Sequence, residues 1–269
     1  MQLELTTAGI LVVALFGLLV GSFLNVVIVR RGRLDWQERG SLDGRSACPN
    51  CGHHISWYEN LPLISWLALR GRCRSCKQRI SARYPLVEAL TAVLWGCVAA
   101  AAGSVGDLVT GVVFVSVLVP VTFIDLDIQI IPDEINYVAI FAGFACSLGF
   151  GPQPRFVAQE WWWVEVIVAA LGAAGFLLLP AIVTRGKGMG MGDIKLAVAL
   201  GAFLGAPVAV GLFAGFLLGL LPSIYLLVTR GMAKGRKSKI PFGPFLALGG
   251  VFGWFAGADL LDAYLRLGA

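Results

Sequence analysis

"AGILVVALFGLLVGSFLNVVIV", residues 8–29, is a run of 22 residues without a single charge. As a helix at 1.5 Å per residue it measures about 33 Å, enough to cross a hydrocarbon core of about 30 Å. It has no basic n-region before it and no A-x-A cleavage site after it, so it reads as a retained span and not as a signal peptide. The rest of the chain repeats the pattern. Of 269 residues 58% are hydrophobic and only 14% are charged, and the mean hydropathy is +0.81. That composition excludes an ordinary soluble domain.

Further apolar segments lie near 86–103, 108–126, 134–150, 161–183, 194–206, 208–229 and 242–264. With the first they predict an all-α polytopic membrane protein of about eight transmembrane helices. The expected organisation is a first helix over 1–29, a loop module over 30–84, and a seven-helix membrane domain over 85–269. Basic residues accumulate on the cytoplasmic side, and loop 30–84 alone holds eleven of the 21. Strict alternation then puts 126–133, 184–192 and 230–241 on the same side, the last two with two and five basic residues, and Arg155 is the main exception outside. Both termini are expected to face outward. The net charge of +5 is an orientation signal, so no nucleic-acid partner is implied.

Against this apolar background "FIDLDIQIIPDE", residues 123–134, places four acids in twelve residues. Pro132 can open a helix, and Asp133 and Glu134 in its first turn complement the helix dipole. Asp127 can be a solvated loop acid. Asp125 is the most membrane-proximal, and an ionisable group there is costly unless paired, wetted or used. A second acid, Asp193, opens the short sixth span in "RGKGMGMGDIKLAVALGAF", after alternating glycines Gly186, Gly188, Gly190 and Gly192. Topology puts both acids on one side of the membrane. That span is about 13 residues or roughly 20 Å, too short to cross while starting at the surface, which places Asp193 in a recess.

Two facing carboxyls in a recess do not easily both ionise, so they share a proton. One can then donate to a carbonyl oxygen while the other activates a water, which is aspartic-protease chemistry. Gly190 and Gly192 would let an extended peptide approach the backbone closely. The glycine run is not a phosphate loop, since G-x-x-x-x-G-K-[ST] is absent. The same two acids would also suit an ion or proton pathway.

The loop adds "CPNC" (Cys48, Cys51) and "CRSC" (Cys73, Cys76), with 21 residues between the pairs. Four thiolates in two such pairs suit tetrahedral zinc. Disulfides are the alternative, disfavoured in a reducing cytoplasm. His53 and His54, the only histidines, could replace a cysteine or lie on the module surface. Cys97 and Cys146 read as small packing residues in spans. Gly211, Gly215 and Gly219 form a ladder suited to close helix packing, the tryptophans at 161–163 suit an outer aromatic belt, and no internal repeat stands out.

Jointly, "GSFLNVVIVR", the whole loop from "CPNCGHHISWYENLPLISW" to "CKQRISARYPLVEALTA", "FIDLDIQIIPD", "GMGMGDIKLA" and "IPFGPFLALGG" resemble the bacterial type IV prepilin peptidases. These are GxGD aspartic membrane proteases that are also N-methyltransferases. The resemblance implies Asp125 and Asp193 as the catalytic aspartates and Cys48, Cys51, Cys73 and Cys76 as zinc ligands. It implies cleavage of a short basic leader from a type IV prepilin or a type II secretion pseudopilin at the cytoplasmic face of the bacterial inner membrane. Methylation of the new N-terminal residue with S-adenosylmethionine would follow. Asn25 and Glu88 are methyl-transfer candidates by resemblance, each with a structural alternative: Asn25 joining helices, Glu88 neutralised by Arg83. Two readings of other classes stay open: a transporter using both acids, and a membrane-anchored zinc adaptor using neither.

Overall fold

The computed structural model describes residues 3–33, 42, 44, 46–151, 161–186, 189–235 and 240–267. Arg155, Gly188 and several of the loop basic residues counted above lie outside the described residues. The helices are α1 (Thr7–Arg31), α2 (Ile64–Ala68), α3 (Arg83–Ala101), α4 (Val105–Ile128), α5 (Asp133–Phe150), α6 (Trp162–Val183), α7 (Met191–Leu204), α8 (Val208–Gly235) and α9 (Gly243–Leu267), with a 3-10 turn at Trp57–Asn60. Each of the eight apolar segments is a helix. Six of them are long and apolar enough to span a membrane: α1, α3, α4, α6, α8 and α9. The chain is therefore an all-helical, multi-pass membrane protein. α5 opens on Asp133 and Glu134, and α7 has only 14 residues, about 21 Å.

The chain forms two compact units, Gln2–Ala102 and Gly103–Ala269. In the first, α1 lies on α3 through small residues. A Cβ on Gly17 would sit 2.9 Å from Ala92 Cα, and one on Gly21 would sit 2.8 Å from Glu88 Cα. Lipid supplies no hydrophobic drive between helices, so this close van der Waals approach is what holds them. It also sets the register that brings Asn25, one turn beyond Gly21, beside the start of α3.

The loop of this unit contains a repeat that the sequence reading passes over. Cys48 N–H donates to His53 O at 2.9 Å, and Cys73 N–H donates to Gln78 O at 2.8 Å. Antiparallel bridges pair Ala47 with His54 and Arg72 with Arg79. Gly52 (φ 69°) and Lys77 (φ 61°) take the left-handed conformation at the same position of each turn. "CPNCGHHIS" and "CRSCKQRIS" are two copies of one knuckle.

In the second unit α7 is the centre, packed on α5, α6 and α9. Ile194, Leu196, Ala197 and every residue from Ala199 to Leu204 are buried. A Cβ on Gly201 would lie 2.5 Å from Ala170 Cα in α6, so no side chain fits there. α7 stops at Gly205, and buried Glu165 of α6 accepts the Ala206 N–H at 3.0 Å to hold the corner. The α8 ladder faces α9: Cβ atoms on Gly211, Gly215 and Gly219 would meet Gly249 O, Phe245 O and the Phe242 ring at 2.9, 2.9 and 3.0 Å. Cys146 is half-buried, whereas Cys97 lies on an exposed face of α3 and does not pack.

Candidate active site and candidate metal centre

Asp125 sits one turn before the end of α4, where Gln129 takes a left-handed conformation and its N–H closes on Asp125 O at 2.9 Å. Asp125 as a residue is 4% exposed, and its Oδ2 accepts the backbone N–H of Gly243 at 2.8 Å. Gly243 is the first residue of α9 and precedes Pro244, which suits a first turn because its missing N–H has no intrahelical partner there. A Cβ on Gly243 would lie 2.9 Å from Asp125 Oδ2, so glycine is what lets the helix end reach the acid.

Asp193 lies in the first turn of α7, half-buried, and its Oδ2 accepts the Gly190 N–H at 3.3 Å. Asp125 lies near enough to Asp193 for its charge to bear on it. Thus two acids 68 positions apart in sequence form one electrostatically coupled pair, each with one oxygen held by a glycine N–H.

The surrounding polar groups keep the two helix ends together. Lys195 Nζ pairs with Asp133 Oδ1 at 2.6 Å, and Asn136 Nδ2 donates to Gly192 O at 3.2 Å. Asp133 and Glu134 do occupy the first turn of α5, with Pro132 capping it, and Asp127 is exposed. A Cβ on Gly192 would sit 3.1 Å from Ile131 Cβ, and one on Gly190 would sit 2.9 Å from Asp193 Oδ2. Both glycines are thus closely approached by the chain itself, Gly192 by Ile131 and Gly190 by Asp193. Gly243 is the contact that sequence reasoning missed. Its signal was a Gly-Pro at a helix start directly after a basic loop, which aims backbone N–H groups at whatever anion lies opposite.

In the first unit the four loop cysteines converge, their sulfurs all within 4.8 Å of one another. Cys48 Sγ is 3.8 Å from Cys76 Sγ, and Cys51 Sγ is 4.0 Å from Cys73 Sγ. A tetrahedral zinc with Zn–S bonds of about 2.3 Å places its sulfurs about 3.8 Å apart. A disulfide needs about 2.05 Å, and all six cysteines are free. The donor set therefore fits a zinc ion and not a pair of disulfides.

Backbone donors prepare the sulfurs for negative charge. Cys51 and Asn50 N–H groups point at Cys48, and the His53 N–H points at Cys51. The Gln78 N–H, helped by the Asn50 side chain, holds the Cys76 thiol down to about 6. At Cys51 the His53 N–H is outweighed by burial and the neighbouring thiols, which push it up to about 11. His53 stands outside the sulfur set, with Nε2 on Glu59 Oε2 at 3.2 Å; His54 is exposed.

A cavity of about 420 Å³ in the same unit is lined by both methyl-transfer candidates, Asn25 and Glu88, together with Trp66, Tyr84 and the knuckle residues Cys48 and Cys73. Asn25 Nδ2 donates to Tyr84 O at 3.0 Å, so it does join α1 to α3. Glu88 is buried, and its Oε2 accepts the Leu63 N–H at 2.9 Å. Leu63 holds φ 60°, a strained conformation for a branched side chain.

Fold and site together define a polytopic membrane protein with a coupled carboxyl pair at helix ends in one unit and a four-cysteine metal module in the other. Residues 15–102 match the bacterial peptidase A24 N-terminal domain, and residues 112–224 match the type IV leader peptidase family. A prepilin leader peptidase/N-methyltransferase of Aeromonas hydrophila is 37% identical over 280 residues, covering 94% of this chain and 92% of that protein. Proteins of the same name from Neisseria gonorrhoeae (38% over 263 residues, 88% and 87% covered) and Pseudomonas aeruginosa (34% over 279 residues, 96% and 94% covered) are similar along nearly the whole length. No solved structure matches. This chain belongs to the type IV leader peptidase family.

Proposed function

We propose that this protein cleaves the leader from a type IV prepilin or type II secretion pseudopilin, with Asp125 and Asp193 as the catalytic pair, and then N-methylates the new N-terminus. The observation that carries the protease reading is the placing of two acids from distant helix ends in one unit, each held through Oδ2 by a glycine N–H, which leaves Oδ1 for chemistry. One carboxylate takes a proton from a water as the water attacks the scissile carbonyl. The other, holding the shared proton, donates it to the carbonyl oxygen; the first then passes the water's proton to the leaving amine as the C–N bond breaks, and the collapsing diol returns a proton to the second. Both acids belong to helix ends and no acid lies midway along the other long helices, which favours this over an ion pathway. The extended peptide approaches the Gly190–Gly192 segment beside Asp193, on the side of its backbone away from Ile131.

The basic loops support an orientation with the pair and the loop module at the cytoplasmic face of the inner membrane and both termini outside. Zinc at Cys48, Cys51, Cys73 and Cys76 ties the two knuckles into a folded module. S-adenosylmethionine supplies an electrophilic methyl group. The cavity lined by Asn25 and Glu88 suits it in size, and the Glu88 carboxylate suits its positive charge.

The test is a purified prepilin incubated with the protein and S-adenosylmethionine, with leader loss and methyl gain read by mass spectrometry. An intact prepilin would reject the protease reading. A cleaved but unmethylated product would reject only the second activity.

A further inference from the structure

The short helix α2 in the loop module turns Trp66 partly inward, over Gly71, and two other apolar residues outward. Ser65 is 8% exposed, while Ile64 is 66% and Leu67 is 67% exposed, and these two lie one turn apart on the same helix face. The adjoining turn presents Trp57 at 79%. With Ser65 and Trp66 already facing the module, Ile64 and Leu67 form a second apolar face, which is stable where the outer medium is apolar. Tryptophan is the side chain that settles at the level of lipid headgroups.

Beside α2 lies a recess of about 350 Å³ lined by Leu69, Arg70, Arg72, Cys73 and Lys77. Two of its cations sit on left-handed backbone, Arg70 at φ 51° and Lys77 at φ 61°. The first knuckle places glycine, Gly52, where the second places Lys77. A lysine there costs more than a glycine, and it adds a third cation to the recess. Apolar teeth next to a basic recess match the two layers of an anionic bilayer surface, acyl chains and phosphate headgroups. The chain on both sides of the module enters spanning helices, α1 and α3, which hold it at that surface.

We infer that the zinc-knuckle module docks on the membrane through Trp57, Ile64 and Leu67, with Arg70, Arg72 and Lys77 binding the headgroups of anionic phospholipids. The docking face does not depend on the proposed enzymatic activities, and its test does not read them.

The full-length protein, carrying Ile64→p-benzoylphenylalanine or Leu67→p-benzoylphenylalanine, is reconstituted in vesicles of phosphatidylcholine with or without phosphatidylglycerol. After irradiation, adducts are identified by mass spectrometry. Lipid adducts are expected at both positions, with phosphatidylglycerol favoured over phosphatidylcholine. Replacing Arg70, Arg72 and Lys77 by glutamine should reduce that preference by about fivefold for each charge removed. Zinc content shows whether the triple variant keeps its module; if it does not, Arg70→Gln alone is read by the same ratio. Adducts only to protein, whether a second copy or an added peptide, would overturn the inference. So would a lipid preference that the charge removals leave unchanged.

Discussion

The backbone N–H of Gly243 donates to Asp125 Oδ2 at 2.8 Å, joining the start of α9 to the end of α4 across 118 positions of sequence. The contact fixes one oxygen of the buried acid and turns the other away from it. Gly243→Ala puts a methyl group 2.9 Å from that oxygen and forces the carboxyl to move. A displacement on the order of 1 Å in a catalytic group costs roughly a hundredfold. We expect kcat for leader cleavage to fall by about that factor with KM little changed. The pH–rate profile should shift as well, because the lost N–H no longer favours the charged carboxyl. A wild-type profile with a wild-type rate would show that the contact has no part in the chemistry.

Asp125→Asn and Asp193→Asn should each abolish cleavage, since neither amide can share or pass the proton. Methylation of an already cleaved substrate should persist in both variants, because Asn25 and Glu88 line a cavity in the other unit. Loss of both activities together would mean that the two reactions share residues. Residual cleavage in either variant would count against a two-acid mechanism.

Glu88→Gln keeps the shape and the capacity to accept the Leu63 N–H but removes the charge. Methyl transfer should fall at least tenfold through a weaker apparent affinity for S-adenosylmethionine, with cleavage unchanged. Equal rates of methylation in the two proteins at limiting methyl donor would dismiss Glu88 as its partner.

The metal-free knuckles should show a graded thiol reactivity. Cys76, held down to about 6 mainly by the Gln78 N–H, is a thiolate at neutral pH and should alkylate first. Cys51, pushed up to about 11, should alkylate last. The depressed value of Cys76 lends stability in full above the ordinary thiol value of 9.0, and that contribution fades as pH falls through about 6. Metal shares this sign because its ligands must be deprotonated, so acid should release one zinc per chain. Mass mapping after limited alkylation and metal analysis along a pH series check both points. Wild-type protein with no bound metal and full thiol reactivity would contradict the centre.

Gly201→Val introduces atoms where even a Cβ would lie 2.5 Å from Ala170 Cα. The α6–α7 contact must open, at a cost of about 3 kcal/mol or more, and Asp193 moves with α7. Thermal unfolding in detergent should show a lowered Tm alongside lost cleavage. Lys195→Met is the contrast. It removes a half-exposed ion pair with Asp133, worth no more than about 1 kcal/mol, and should leave Tm nearly unchanged.

Much was legible in the chain alone because it is written locally. Hydropathy over some 20 residues marks a span whatever its neighbours are, and paired C-x-x-C spacing marks a metal ligand set. The acids Asp125 and Asp193 were conspicuous because charge at the end of an apolar helix is costly. The knuckle repeat was present in the letters too, in the shared C-x-x-C-x-x-[HR]-I-S, but its meaning rests on hydrogen bonds and left-handed turns.

By itself the sequence determined the helices, their class and the identity of the charged and sulfur-bearing residues, since each depends on its own few neighbours. Only the tertiary structure decided that Gly243 holds Asp125, that α7 is the core of its unit, that Cys48 approaches Cys76 and Cys51 approaches Cys73, and that Asn25 and Glu88 line one cavity. Those contacts join residues from 22 to 118 positions apart. Helix packing brings them together, and no local pattern of residues encodes which pairs will meet.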